Sequence, residues 1–170
     1  MLKNNKAITL IALIIMIIVI LILAGVGTTT GLNVVRESKF YNAVSNLKVM
    51  QTKINEIYEE YKYEDTEGKN RIENYGAEIP QDIASDANTA YNSAKNNNLT
   101  GTNIGEYTDF RLYTSNYIKE NLDLDNIDSD YLINIKTRTV ILLDGMIQDG
   151  IKYYSLGEIE GEQYNVEYVE

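Results

Sequence analysis

The hydrophobic pattern begins with one long apolar run near the N-terminus. It covers nineteen residues, 8–26, and Thr9 is the only polar side chain among them. At about 1.5 Å per helical residue, a run of this length spans roughly 30 Å, the thickness of the hydrocarbon layer of a bilayer. No charged residue follows the run until Arg36. The pattern therefore predicts a transmembrane helix over residues 8–26.

A cleaved secretory signal is the alternative interpretation of this run. Lys3 and Lys6 supply the basic start of such a signal, and the small residues at 24–27 supply a cut site. The apolar core of a signal peptide is about 7–15 residues long, so the length of the run favours a retained span. Because positive flanks stay in the cytoplasm, the N-terminus is expected inside and the chain beyond the span outside.

A second helix is predicted by apolar residues that recur every three or four positions between 40 and 61. This spacing places them on one face of an amphipathic helix, which we expect over residues 33–63. The stripe consists of Phe40, Val44, Leu47, Met50, Ile54, Ile57 and Tyr61. Glycines and threonines between 26 and 33 are poor helix formers, so that stretch is either a soft part of one long helix or a linker.

The middle of the chain, residues 64–130, is expected to contain variable loops and short helices. Residues 64–79 are polar and contain two glycines, which indicates a loop. Apolar side chains at helical spacing predict a short helix over residues 82–95. A similar pattern predicts another helix over residues 109–122.

The C-terminal part, residues 131–170, is rich in residues that favour strands. The segments 131–136 and 139–142 form two such runs, and Asp149-Gly150 is a dipeptide typical of a hairpin turn. A last strand is expected at 164–169. We expect these strands to form an antiparallel meander.

Together the patterns predict an α+β fold. A long N-terminal helix, with a transmembrane half and an amphipathic half, is expected to pack on a C-terminal antiparallel sheet of three or four strands. The expected organisation is a cytoplasmic leader at 1–7, a transmembrane or assembly helix at 8–26, and an exported domain at 27–170.

Composition and charge exclude several classes of function. The 170 residues carry a net charge of −10, which is unfavourable for a protein that binds nucleic acid through a basic surface. The chain contains no Cys and no His, so it lacks thiolate nucleophiles, the commonest general base and the commonest metal ligand. A secreted hydrolase would have to build its site from Asp, Glu, Ser, Thr, Tyr or Lys alone. We expect no enzymatic activity, no cofactor and no direct binding of nucleic acid.

An acidic cluster is the weak candidate for a metal site. It consists of Asp123, Asp125, Asp128 and Asp130. A calcium loop needs oxygen ligands at fixed offsets, a glycine at its tight turn and a closing glutamate. Ile127 stands where a ligand is needed, Asp128 replaces the glycine, and no glutamate closes the loop. We therefore interpret the cluster as solvated loop charge and expect no bound metal.

A motif occurs where the apolar run begins. Its sequence is Lys6-Ala7-Ile8-Thr9-Leu10-Ile11-Ala12-Leu13. It resembles the N-terminal cleavage and methylation signature of type IV pilins and pseudopilins, in the form found in pilin-like proteins of Gram-positive anaerobes. In that family a basic leader ends in a small residue, usually Gly, and a hydrophobic residue and Thr-Leu-Ile-Glu-Leu follow.

The match has two departures from the family pattern. Ala7 stands at the small position that is usually Gly, and Ala12 stands where the family has Glu. The remaining positions agree, with Ile8 at the new N-terminus and with Thr9, Leu10, Ile11 and Leu13 matching outright. A generic signal anchor is the alternative reading of the same residues.

The resemblance implies that a prepilin peptidase cuts between Ala7 and Ile8 and methylates the amine of Ile8. It implies a structural subunit of a type IV pilus, or of a type II secretion or competence pseudopilus, that polymerises through its N-terminal helix. The expected partners are other pilin-like subunits, the peptidase, a membrane platform protein and, before assembly, the lipid bilayer. The expected location is the cytoplasmic membrane first and the cell surface or a filament afterwards.

The residue at position 12 bears on the role within the filament. In the family, the glutamate there pairs with the terminal amine of a neighbouring subunit and guides its addition. Ala12 removes that attraction, which favours a minor, initiating subunit, although a filament held by apolar packing alone remains the alternative. The alternative function is a signal-anchored surface domain that binds a partner and does not polymerise.

Overall fold

The computed structural model describes residues 4–66 and 75–159, and within the first range it describes the side chains of 13–21 and 34–63. The chain divides into two compact units, Met1–Ser38 and Lys39–Glu170.

The first helix, α1 (Asn4–Thr66), has residues in both units. It contains the predicted helix at 33–63. Residues 26–33, for which a linker was the alternative to a soft part of one long helix, are also helical, so the linker interpretation is wrong. Residues 64–66 of the loop predicted over 64–79 are helical, because they include no helix breaker, and residues 67–74 of that loop lie outside the described residues. Among the residues that the structure describes, no helix is both long and apolar enough to cross a membrane. More than half of the predicted span at 8–26 has side chains outside the described residues.

Two further helices lie in the second unit. The helix α2 (Ala84–Asn96) confirms the prediction for residues 82–95 to within two residues at its start. The helix α3 (Ser115–Leu122) confirms only the second half of the prediction for 109–122. Two short 3-10 turns occur at Tyr107–Asp109 and Leu156–Glu158.

The first half of the predicted 109–122 helix is a strand instead. Arg111–Tyr113 forms β1 and pairs antiparallel with a strand that follows about twenty residues later, a non-local pairing that overrides the helical spacing. Thr114 then begins α3, because its Oγ1 accepts a hydrogen bond of 3.2 Å from the backbone N–H of Tyr117.

The strands form two antiparallel sheets. The remaining strands are β2 (Tyr131–Asn134), β3 (Thr139–Leu142), β4 (Met146–Gln148) and β5 (Ile151–Tyr153). The first sheet has the order β1-β2-β3, and β4-β5 forms a separate hairpin with its turn at Asp149-Gly150. The α+β class and the hairpin are confirmed. Over the described residues 131–159 the single meander is wrong, because β2-β3 and β4-β5 belong to separate sheets and β1 joins the first sheet from outside that range. The strand predicted at 164–169 lies outside the described residues.

The three-stranded sheet is buried on both faces. On one face, Tyr131 and Ile133 pack in the cluster that contains the buried stripe of α1 from Phe40 to Ile57. On the other face, Leu132 and the neighbouring strands pack against the alanines of α2. Burial of both faces explains why β2 is apolar almost throughout instead of alternating. The predicted packing of α1 on the sheet is therefore confirmed, and α2 covers the opposite face.

Candidate functional site

The unit Met1–Ser38 contains an exposed apolar segment, which we define as residues 13–21. Each of its nine side chains is between 47% and 66% exposed. They are Leu13, Ile14, Ile15, Met16, Ile17, Ile18, Val19, Ile20 and Leu21. Successive helical residues turn by roughly 100°, so nine in a row point in every direction around the axis. The apolar segment therefore lacks the polar face of an amphipathic surface helix.

An apolar helix of this kind requires an apolar environment on all sides. Full burial of one large aliphatic side chain contributes about 1.5–3 kcal/mol, so covering these nine half-exposed side chains contributes on the order of 10 kcal/mol. A lipid phase or a bundle of similar helices supplies such an environment. The rest of the described part of α1 differs, because its stripe from Phe40 to Ile57 is already buried against the sheet.

The predicted processing motif precedes the apolar segment directly. The backbone of its residues belongs to α1, and the side chains of Lys6, Ala7, Ile8, Thr9, Leu10, Ile11 and Ala12 lie outside the described residues. Leu13, its last residue, is 58% exposed and begins the apolar segment. The motif and the apolar segment are thus consecutive parts of one helix.

The acidic cluster does not converge on one point, since two of its side chains bind separate partners and two are exposed. Asp123 ends α3 with a left-handed φ of 55°, and Asp125 is exposed in a turn. Asp128 forms an ion pair of 2.6 Å with Lys119. Asp130 accepts a hydrogen bond of 2.8 Å from the backbone N–H of Ser115, at the start of α3. Within residues 4–66 and 75–159, no three potential ligands among His, Cys, Asp and Glu are grouped to hold a metal ion.

A buried carboxylate near the C-terminal end of the described chain was missed by the sequence analysis. Glu158 is only 5% exposed, and its two oxygens accept four hydrogen bonds. Oε1 accepts from Ser93 Oγ at 2.7 Å. Oε2 accepts from the backbone N–H groups of Tyr154 and Ser155 at 2.6 and 2.7 Å, and from Ser155 Oγ at 3.2 Å. Ser155 and Glu158 thus form a capping box at the start of the 3-10 turn Leu156–Glu158, and the spacing Ser-x-x-Glu is its sequence signal.

Glu158 also lies in the wall of an open cleft of about 410 Å³, which we call the Asn cleft. Its lining residues are Asn96, Asn97, Asn98, Leu99, Tyr153 and Glu158. The two sides of the cleft are joined by a hydrogen bond of 2.7 Å from the backbone N–H of Leu99 to the carbonyl of Gly157. The cleft brings together the end of α2, the end of β5 and the second 3-10 turn, which are distant in sequence.

Three tyrosines have buried hydroxyls without a partner among the described residues: Tyr107, Tyr113 and Tyr131. Burial raises the pKa of each of these hydroxyls, and for Tyr113 the neighbouring Tyr117 and Tyr75 raise it further. Because the neutral phenol is favoured, these tyrosines pack as apolar side chains and are unsuited to act as bases.

The described residues thus contain two distinct features, the apolar segment in the first unit and the Asn cleft in the second. The apolar segment suits association with lipid or with other helices, and the Asn cleft suits a small polar group. No protein-family profile matches the chain, and no curated protein and no solved structure shows significant similarity to it.

Proposed function

We propose that this chain is a pilin-like structural subunit of a type IV pilus or of a type II secretion or competence pseudopilus. The observation that carries the proposal is the apolar segment at 13–21, which is exposed all round and begins at Leu13, the last residue of the motif at 6–13. A motif of this kind at the start of such a helix is the arrangement that the family resemblance predicts. In this proposal the chain is not an enzyme.

The proposed mechanism starts in the cytoplasmic membrane. Residues 8–26 span the bilayer, residues 1–7 lie in the cytoplasm and the remainder is exported. A prepilin peptidase cuts between Ala7 and Ile8 and methylates the new amine. The helix then leaves the lipid and enters a bundle of like helices, an exchange that is feasible because an apolar surface packs equally well against lipid tails or side chains.

The second unit supports this mechanism because it has a core of its own. Both hydrophobic clusters consist of residues from Phe40 onward, so all of them lie within Lys39–Glu170. A unit with a complete core keeps its fold whether the first unit is surrounded by lipid or by neighbouring helices. It therefore suits the coat of a filament.

The proposed role within the filament is that of a minor, initiating subunit. A glutamate at position 12 would attract the amine of the next subunit inside an apolar environment, where an unpaired charge is costly. Ala12 lacks this attraction, so such a chain joins partners that do carry the glutamate.

A surface domain that is anchored and does not polymerise is the second candidate function. The Asn cleft favours it, since a monomeric surface protein acts through such a binding feature. The two candidates differ in one contact: in a filament the apolar segment packs against other copies or other pilins, and in an anchored domain it does not.

Cross-linking through introduced cysteines separates the two candidates, because the chain has no cysteine of its own. Ile14→Cys together with Met16→Cys places two thiols on nearly opposite sides of α1, about 200° apart. A short membrane-permeant bis-maleimide should then yield a ladder, either of oligomers of this chain or of mixed products with a partner pilin that carries an introduced cysteine of its own. The same double variant in cells without prepilin peptidase is the control and should yield no ladder. Monomers alone in both strains would reject polymerisation and leave the anchored surface domain.

A further inference from the structure

The Asn cleft has a negative electrostatic character that comes from independent sources. The first is Glu158, whose carboxylate is held entirely by neutral donors. Among the described residues, no lysine or arginine forms an ion pair with it. Oε1 accepts a single hydrogen bond, from Ser93, whereas a carboxylate oxygen has two lone pairs. The carboxylate of this lining residue therefore has no basic partner among the described residues, and its Oε1 keeps one lone pair without a hydrogen bond.

The second source is the C-terminal end of α2. Asn96 is the last residue of this thirteen-residue helix, and Asn97 follows it as the cap. The last carbonyl groups of a helix carry the negative end of its macrodipole, equivalent to roughly half an elementary charge. Lys95 in the last turn offsets part of this charge, although its Nζ donates a hydrogen bond of 2.9 Å to the Tyr91 hydroxyl and lies 3.9 Å from Glu106. The exposed Asn96 and Asn97 line the cleft and add amide oxygens that accept hydrogen bonds.

Apolar and aromatic surface lies beside these acceptors. Leu99 is 55% exposed. Tyr153 is half-buried, and its ring packs edge-on against the ring of Phe40, with 6.3 Å between the two ring centroids. An aromatic face attracts a cation within about 6 Å of its centre. The neighbouring Lys152 does not supply that cation, because its Nζ lies 5.0 Å from the ring centroid of Tyr154.

We propose that the Asn cleft binds an organic cation, a primary ammonium group on a short stem. The ammonium donates hydrogen bonds to Glu158 Oε1 and to the amide oxygen of Asn96, the ring of Tyr153 contacts the charge, and Leu99 packs on the stem. None of the six lining residues is basic, and the whole chain has a net charge of −10, so cations are attracted and anions repelled. The proposal concerns the second unit alone and stands whether or not the chain polymerises.

The test follows the methyl groups of Leu99 by NMR, on the full chain in a non-ionic detergent. The probes are n-butylammonium chloride and n-butanol, which have the same stem but differ in charge. Butylammonium should shift the Leu99 methyl resonances until they saturate, and butanol should not. Leu112, buried on the α2 side of the sheet, is the internal reference and should not shift. Equal shifts with both probes would overturn the proposal in favour of a neutral polar ligand such as a sugar. No shift with butylammonium would overturn it as well.

Substitutions at Asn96 test the electrostatic part of the proposal without disturbing the buried Glu158. Asn96→Asp adds a negative charge near the cation and should tighten binding about fourfold, the effect of one charge at roughly 5 Å in water. Asn96→Lys should weaken binding by at least the same factor. Asn116→Lys makes the same charge change at an exposed position on α3 and should alter binding far less. Equal effects of the two lysine substitutions would show that the cleft is not the site.

Two sources of a primary ammonium group are distinguished by a further pair of probes. Nα-acetyl-lysine methylamide represents a lysine side chain of a protein, and glucosamine represents an amino sugar. Tighter binding of the lysine probe assigns a protein partner, and tighter binding of glucosamine assigns a glycan. If butylammonium shifts Leu99 and neither of these two probes does, the ammonium proposal stands and both sources are rejected.

Discussion

Glu158→Gln should destabilise the second unit strongly, because one buried carboxylate holds four donors from two segments, α2 and residues 154–155. Its Oε2 accepts two backbone N–H bonds and one hydroxyl bond, and its Oε1 accepts the hydroxyl of Ser93. The amide oxygen of glutamine can replace Oε2 and keep three of these bonds without their charge. The amide nitrogen replaces Oε1, so the hydroxyl of Ser93 must turn and become an acceptor.

The magnitude follows from the difference between charged and neutral hydrogen bonds. Bonds to a charged group contribute about 1.5–3 kcal/mol each, and neutral bonds contribute about 1 kcal/mol. Counted from the lower end of the charged range, each bond loses about 0.5–1 kcal/mol, so the three retained bonds and the reversed one together lose about 2–4 kcal/mol. Glu158→Ala should cost more, about 4–5 kcal/mol, since it leaves the N–H groups of Tyr154 and Ser155 buried and unpaired.

Denaturation by urea, followed through near-UV circular dichroism of the tyrosines, measures this loss in the full chain. All fourteen tyrosines lie at or after Tyr41, so the signal reports on the second unit alone. Glu120→Gln is the matched control, because Glu120 is exposed on α3 and should change the unfolding free energy by less than about 0.5 kcal/mol. If Glu158→Gln behaved like Glu120→Gln, the buried carboxylate would not organise these segments and the reasoning would be wrong.

Three further predictions concern other parts of the chain. Gly105→Ala should lower the free energy of unfolding in urea by more than about 2 kcal/mol, since φ is +87° and the new Cβ would overlap the side-chain amide of Asn134. Gly101→Ala is the control: its φ is +69° but the space around it is open, so the free energy of unfolding should fall by only about 1 kcal/mol. Tyr131→Phe should raise stability by about 1 kcal/mol, as its hydroxyl is buried without a partner among the described residues. Burial raises the pKa of Tyr131, so the unfolded chain loses this proton first, and above about pH 10 this group alone should lower the stability of the native chain by roughly 1.4 kcal/mol per pH unit. Tyr113 and Tyr107, whose pKa values burial also raises, add losses of their own, so Tyr131→Phe should reduce the slope by the share of one group, and an unchanged slope would contradict the cause. Quantifying subunits in sheared filaments should find this Ala12-bearing chain as a minor component, and finding it as the bulk component would refute the initiating role.

The elements that depended on local pattern were predictable from the sequence. The stripe of α1 from Phe40 to Ile57 is buried as its spacing predicted, because a 3.6-residue period places those side chains on one face. The hairpin at Asp149-Gly150 was predictable for a similar reason, since both residues adopt the positive φ that its turn needs.

Features that depend on distant contacts were not predictable in the same way. β1 has only three residues. Leu112 is extended because it pairs with Leu132 of β2 along one edge and forms backbone hydrogen bonds with Ala77 along the other edge. The Asn cleft needs three segments to meet, and no single segment indicates it. Glu158 had a local signal in Ser155-x-x-Glu158, but its bond to Ser93 comes only with the fold.

The mass of the mature N-terminus tests the central claim most directly. Mass spectrometry of the membrane-extracted or filament-extracted protein should find a chain that begins at Ile8 with a methylated amine. In cells that lack the prepilin peptidase, the chain should keep Met1 to Ala7. In cells with an active peptidase, an intact start at Met1 or a start near Gly27 would contradict the proposal that this chain is a processed pilin-like subunit.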